Sequence, residues 1–207
     1  MCDGAVAVFD GMMGVETQSE TVWQQANRFE IPRIGFINKM DRLGCDLETT
    51  VKSVKRRLKV EPIVINMPST DTQLTGLIDL TSKIYIDYSG DDLGKVVSFE
   101  EIDKSHRLYE RMSNQREVMI SQLANYCDEL ADLYLDGADI DEISQQVIDQ
   151  AIRKAIASKK AVPLLCGSAL KNKGVQPLLD SVIKYLPSPE TKNAIGKNAA
   201  TGKQEVR

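Results

Sequence analysis

Histidine is all but missing from this 207-residue sequence: His106 stands alone, in a segment charged by Asp103, Lys104, Arg107 and Glu110. Any Ser-His-Asp or Cys-His mechanism would have to use that ring, and a solvated helix face is its simpler reading, so hydrolytic triads are set aside. Cysteine is sparse too. Cys2, Cys45, Cys127 and Cys166 lie about forty residues or more apart, with no CxxC and no Cys/His cluster. That spacing excludes a zinc-finger pattern and suits a reducing compartment better than a disulfide framework. No apolar run approaches the ~18 residues a membrane helix needs, so no membrane partner is expected. No signal peptide or Arg/Ser-rich transit segment is recognisable. A cationic excess is absent as well: 26 Lys and Arg against 30 Asp and Glu leave a net charge of −4. Without bulk attraction for phosphate, free nucleic-acid binding is not expected, and any contact with RNA must be local.

What the sequence does have is enough apolar residues, 42% of the chain, for a real core. The run Ala5-Val6-Ala7-Val8-Phe9, bounded by Gly4 and Asp10-Gly11, reads as a strand buried on both faces of a parallel sheet. Because it opens the chain abruptly, the sequence reads as part of a longer protein. Thr17 and Glu20 form a capping-box pattern at the start of a helix through Val22, Trp23, Ala26 and Phe29, with Trp23 as core packing. A strand over 34–37 follows. Leu47, Val51, Val54 and Leu58 then mark an amphipathic helix whose other face carries Lys52, Lys55, Arg56, Arg57 and Lys59. That basic stripe reads as a solvated face before it reads as a binding site. Residues 62–67 read as one more strand. The alternation points to an α/β fold built on a parallel sheet.

The pattern changes after 67. Short strand-like stretches over 76–80, 83–88 and 95–99 precede a polar helix over 105–134, broken near Asp128, and a second over 141–158. We read 68–159 as an α+β insertion. The core resumes with a strand over 162–166 and a closing helix bearing Val175, Leu178, Leu179, Val182, Ile183 and Leu186. Residues 1–67 and 160–189 thus form the core domain, and 190–207 a linker or frayed end.

Two loops follow predicted parallel strands at their C-terminal ends, where open α/β sheets bind ligands. One is Asn38-Lys39-Met40-Asp41 and the other Ser168-Ala169-Leu170-Lys171. Their chemistry suits a guanine base. The Asp41 carboxylate can accept from the N1 and N2 donors together, a pair adenine does not offer. Asn38 can bond N7 and pin neighbouring backbone. The Lys39 stem can lie across base or sugar with its ammonium in water, and backbone amides over 168–170 can donate to O6. An NKxD tetrapeptide occurs by chance in about one chain in forty of this length, so its placement after a strand matters. Turn chemistry at Asn38-Lys39, with Asp46 as a helix cap, is the plainer alternative.

These residues, with Asp3–Asp10, Gly14–Gln18, Glu20–Ala26, Pro32–Ile34, Asn38–Arg42 and Pro163–Asp180, resemble the elongation factor G family of translational GTPases. The likeness runs nearly to Pro189 and includes the insertion. It implies a P-loop-type G domain, here its C-terminal portion with the α+β insertion, and GTP or GDP as ligand. Asn38, Lys39, Met40, Asp41, Ser168, Ala169 and Leu170 would then surround the base. Phe9-Asp10, the compact insertion and the Tyr185–Glu190 ending are most similar to the family's organellar ribosome-releasing form. That likeness implies mitochondrial location, a mitochondrial ribosome and the recycling factor as partners. A translocating elongation factor and a non-catalytic ribosome- or partner-docking half-domain are the rival readings.

The family's GxxxxGK[ST] loop does not occur in these 207 residues. Gly90–Lys95 has the wrong spacing and is followed by Val96, and Gly196–Lys203 ends in Gln204. The switch threonine and DxxGH segment are missing as well. Phosphates, magnesium and attacking water would be held by those parts, so Mg2+ is expected only in a full-length family member. This chain alone is expected not to hydrolyse GTP.

Overall fold

The computed structural model describes residues 2–71, 73–90 and 93–188, and the backbone of 195–197 and 204–206. Four parallel strands form the first sheet: β1 (Ala5–Asp10), β2 (Arg33–Asn38), β3 (Glu61–Val64) and β8 (Ala161–Cys166), in the order β1-β2-β8-β3. Helices α1 (Thr17–Arg28) and α2 (Leu47–Leu58) link the first three. The parallel-sheet α/β fold expected from the sequence is thus the one formed. Alternation along the strands divides the core between its two faces. Phe9, Ile37, Val162, Leu164 and Cys166 pack with Trp23, Val54 and Leu58 of α1 and α2. Ile34, Phe36, Ile63 and Leu165 pack on the other face with α3 (Tyr109–Ala124), α5 (Gln145–Ser158) and α6 (Val175–Tyr185). Gly35 leaves room where β2 crosses β8, since a Cβ there would collide with the Leu164 side chain and crowd the Phe9 ring.

A second, antiparallel sheet comprises β4 (Asn66–Pro68), β5 (Gly76–Asp79), β6 (Ile84–Asp87) and β7 (Ser98–Glu101), in sequential order. The expected single strand over 62–67 is therefore divided. Its first half pairs with β8 and its second with β5. Ile65 lies at the junction: its N–H donates to the Leu164 carbonyl at 3.0 Å, and its own carbonyl accepts from Leu80 N at 3.0 Å. Asn66 adds a second stitch, its Oδ1 accepting from Cys166 N of β8 at 2.7 Å. α3, α5 and the strands of the first sheet share one hydrophobic cluster, in which Met112, Met119, Ile148 and Ile152 are fully buried. Between α3 and α4 (Asp128–Leu135) the helix breaks at 125–127, just before the expected point.

Several local expectations are corrected. β1 is not buried on both faces; it is the sheet's edge, with Val6 and Val8 exposed. The capping box does not form, because Glu16 occupies the cap position and the Glu20 carboxylate instead accepts from Arg57 Nε at 2.5 Å. Arg57 also donates to the Val15 carbonyl. The basic stripe of α2 is largely neutralised within the fold, since Lys52 pairs with Glu48 and Lys55 with Glu61. His106 sits in a turn before α3, not on a solvated helix face. Its Nδ1 accepts from Leu108 N at 3.1 Å, and its ring lies 6.2 Å from that of Tyr85. β9 (Ile195–Lys197) and β10 (Gln204–Val206) pair antiparallel, where the sequence suggested a linker. The other residues of 189–207, and Asp91 and Asp92 of the Gly90–Lys95 near-match, lie outside the described residues.

Candidate nucleotide-binding site

The two loops singled out in the sequence are brought together at the C-terminal ends of β2 and β8, and one side chain joins them. Asn38 Oδ1 accepts from Lys39 N at 2.8 Å and from Ala169 N at 2.9 Å. Backbone bonds repeat the link: Met40 N donates to the Gly167 carbonyl at 3.0 Å, and Gly167 N to the Ile37 carbonyl at 2.9 Å. Because Oδ1 serves two N–H donors, its identity is fixed and the Nδ2 donors face away from them. Among the described residues Nδ2 has no acceptor and the Asp41 carboxylate has no hydrogen-bond or ion-pair partner. A half-buried acidic side chain left without donors, beside an amide with donors to spare, is the arrangement a purine edge requires.

The remaining members are placed unequally. Met40 is buried and packs into the core, so its part in the site is structural. Lys39 adopts a left-handed backbone with φ +66, and its ammonium does not stay in water; it meets Asp10 Oδ2 at 2.5 Å. Ser168 is fully buried. Its amide donates to the Lys173 carbonyl at 2.9 Å, and its hydroxyl accepts from Lys171 N at 3.2 Å. Since the Ala169 amide is held by Asn38, only the Leu170 amide of the expected three is unclaimed among the described residues. The Leu170 side chain is 83% exposed.

The second loop is braced from behind by the insertion, which the sequence did not suggest. Gly174 N donates to the Tyr88 hydroxyl at 3.0 Å, and the buried Lys173 ammonium donates to the Leu74 carbonyl at 3.0 Å. Burial pushes the Tyr88 phenol above its ordinary pKa, so it remains a neutral acceptor there. Gly167 is obligatory in this bend because a Cβ would strike the Lys173 carbonyl. On the first loop's far side, the Cys45 thiol donates to the Met40 carbonyl at 3.1 Å, and partial burial raises its pKa. A cleft of about 590 Å³ opens behind Met40 and Cys45, between α2 and α3, but it is not lined by Asn38, Asp41 or 168–170. The candidate site is a surface ledge.

Residues 1–188 match the family described as "Elongation factor Tu GTP binding domain". The chain belongs to this family. Among its relatives, elongation factor G of Anaplasma marginale (strain Florida) is 44% identical over 205 residues, covering 99% of this chain and 29% of the relative. Elongation factor G of Thermotoga maritima is 45% identical over 188 residues, covering 90% of this chain and 26% of the relative. A crystal structure of a protein from Thermus thermophilus superposes with a TM-score of 0.76 at 22% identity, covering 94% of this chain and 28% of that one, which supports the fold alone. The chain therefore spans less than a third of the length of these relatives. Asn38, Asp41 and Leu170 carry the ledge's unengaged donors and acceptors among the described residues.

Proposed function

We propose that this chain is the guanine-reading portion of an elongation factor G-type translational GTPase that acts on the ribosome. The observation that carries the reading is the Asn38 bridge, which locks both loops while leaving its own donors and the Asp41 carboxylate unengaged. GTP and GDP fit that donor set through the base. Magnesium, which nucleotide sites hold largely through phosphate oxygens and water, belongs to a full-length family member. We assign the phosphates, the metal and the attacking water to a separate portion carrying the GxxxxGK[ST] and DxxGH motifs, docked along the unpaired edge of β1. Alone, this chain binds guanine nucleotides weakly and hydrolyses none.

For the role of the whole protein, the relatives' name, elongation factor G, weighs toward elongation. Ribosome release with the recycling factor in mitochondria rests on Phe9-Asp10 and the Tyr185–Glu190 ending, and it is the second reading.

The test is a titration of the isotopically labelled chain with millimolar GMP, AMP and XMP, followed by backbone amide shifts. GMP is expected to move signals from 38–41 and 168–170, and AMP is not. Asp41→Asn is expected to exchange the preference from GMP to XMP, because an amide donor then meets the extra carbonyl of xanthine. Equal responses to GMP and AMP, or shifts confined to other regions, would overturn the proposal. GTP turnover above that of the Asp41→Asn chain would overturn the assignment of hydrolysis elsewhere.

A further inference from the structure

Asp10 has no place in the base-reading set, yet its carboxylate accepts from three donors beside the ledge. It ends β1, its side chain is 15% exposed, and its two oxygens are divided between two tasks. Oδ1 accepts from the Met12 and Met13 amides at 2.8 and 3.3 Å and so shapes the turn after the strand. Oδ2 holds the Lys39 ammonium at 2.5 Å. The turn is itself fastened to the first loop, since Gly11 N donates to the Asn38 carbonyl at 2.8 Å and Asp46 N donates to the Gly11 carbonyl at 3.2 Å.

Lys39 needs such an anchor. A left-handed backbone at a side chain longer than glycine is unfavourable and persists where several contacts determine it. Three do so here: the Lys39 amide on Asn38 Oδ1, the Lys39 carbonyl accepting from Arg42 N at 3.1 Å, and the ammonium on Asp10. With both ends of the side chain fixed, Lys39, whose side chain is 41% exposed, presents its alkyl stem as a tethered apolar strip next to Asn38 in the chain. A flexible lysine would lose rotamer freedom on meeting a base; a tethered one has already lost it.

We infer that Asp10 is a positioning residue for the base site, holding the Lys39 stem ready for the flat face of a purine. The inference rests on the guanine-reading proposal and adds a residue to it. Asp10→Asn isolates the effect, because the amide oxygen can still accept from Met12 and Met13 while the negative charge that holds the Lys39 ammonium is lost. Two readouts are needed on the full chain. With an amine-acylating reagent and peptide mass mapping, Lys39 in Asp10→Asn should be labelled several-fold faster, with labelling of Lys173 unchanged as the folding control. In the GMP titration, affinity should fall about two- to fivefold, the scale of one partly exposed charge pair, while guanine stays preferred over adenine. Asp10→Asn should cause no further loss in a Lys39→Met background.

Unchanged Lys39 labelling overturns the inference, and so does faster labelling with unchanged GMP affinity. An equal loss in the Lys39→Met background would show that Asp10 acts through the turn instead, and overturns it too. If the unaltered chain gives no guanine-specific shifts, the base-reading proposal itself fails and takes this inference with it. That result is seen before any substitution is made.

Discussion

At the scale of single residues, Asn38 commits half of its side-chain amide: the oxygen closes the two loops on each other, and among the described residues the nitrogen has no acceptor. Asn38→Ala therefore removes two acceptor contacts at once. We expect a loss of about 1–3 kcal/mol in unfolding free energy by urea titration, with amide shifts at both loops without any nucleotide. The thiols report on packing separately. Burial raises the Cys166 thiol far above its ordinary pKa, and Cys2 is exposed. With an aromatic disulfide reagent at pH 8, Cys2 should react at once, Cys45 slowly, and Cys127 and Cys166 only after denaturation. Acid is a third probe. Asp10 is held below the usual carboxyl range chiefly by its hydrogen bond from Lys39, and Asp46 chiefly by that from Thr49. Carboxyls with depressed folded-state pKa values stabilise the fold above their unfolded value near 3.8, and the contribution is lost as pH falls through the folded values. The melting temperature should be flat from neutrality to about pH 5 and fall steeply below pH 4, with a shallower acid limb in Asp10→Asn.

At the scale of elements, α2 depends on its first turn. Asp46 accepts from the Glu48 and Thr49 amides at 3.1 and 3.2 Å, so Asp46→Ala should cost about 1 kcal/mol in chemical denaturation. Gly35→Ala should cost about 1–3 kcal/mol because Leu164 must shift inside a close-packed layer. These elements were legible in the sequence because local signals decide them: apolar runs for β2 and β8, a 4-3-4 apolar spacing for α2, a Pro-bounded end for α6. The NKxD and SAL loops were legible for the same reason, as each follows such a strand. Three things were not. Glu20 was read as a capping partner, but a distant arginine, Arg57, competes for it and wins. The Asp10–Lys39 pair joins the end of β1 to the loop after β2, which no local pattern records, although an acid at a strand end beside the ledge was a usable hint. Residues 62–67 carry one apolar run, and nothing local says that its two halves serve different sheets.

At the scale of the whole molecule, the free edge of β1 dominates behaviour in solution. Val6 and Val8, 37% and 55% exposed, lie on an edge strand that no other described strand covers on its outer side, and Leu179 and Ile183 of α6 are also exposed. Unpaired apolar edges recruit other strands. The isolated chain should self-associate with rising concentration in sedimentation velocity, and Val8→Lys should shift the distribution toward monomer without lowering the melting temperature.

Ile65, bonded to Leu164 on one side and Leu80 on the other, has a different consequence. An insertion that hangs from a flexible tether can be cut out and its ends rejoined like a removed appendix. This one shares a continuous length of backbone with its host. Excising it would remove a covalent continuation of the host's own strand, and a pull applied to the antiparallel sheet would be felt along β8, at whose end the loop over 168–171 begins. The graft behaves as a lever fixed to the frame.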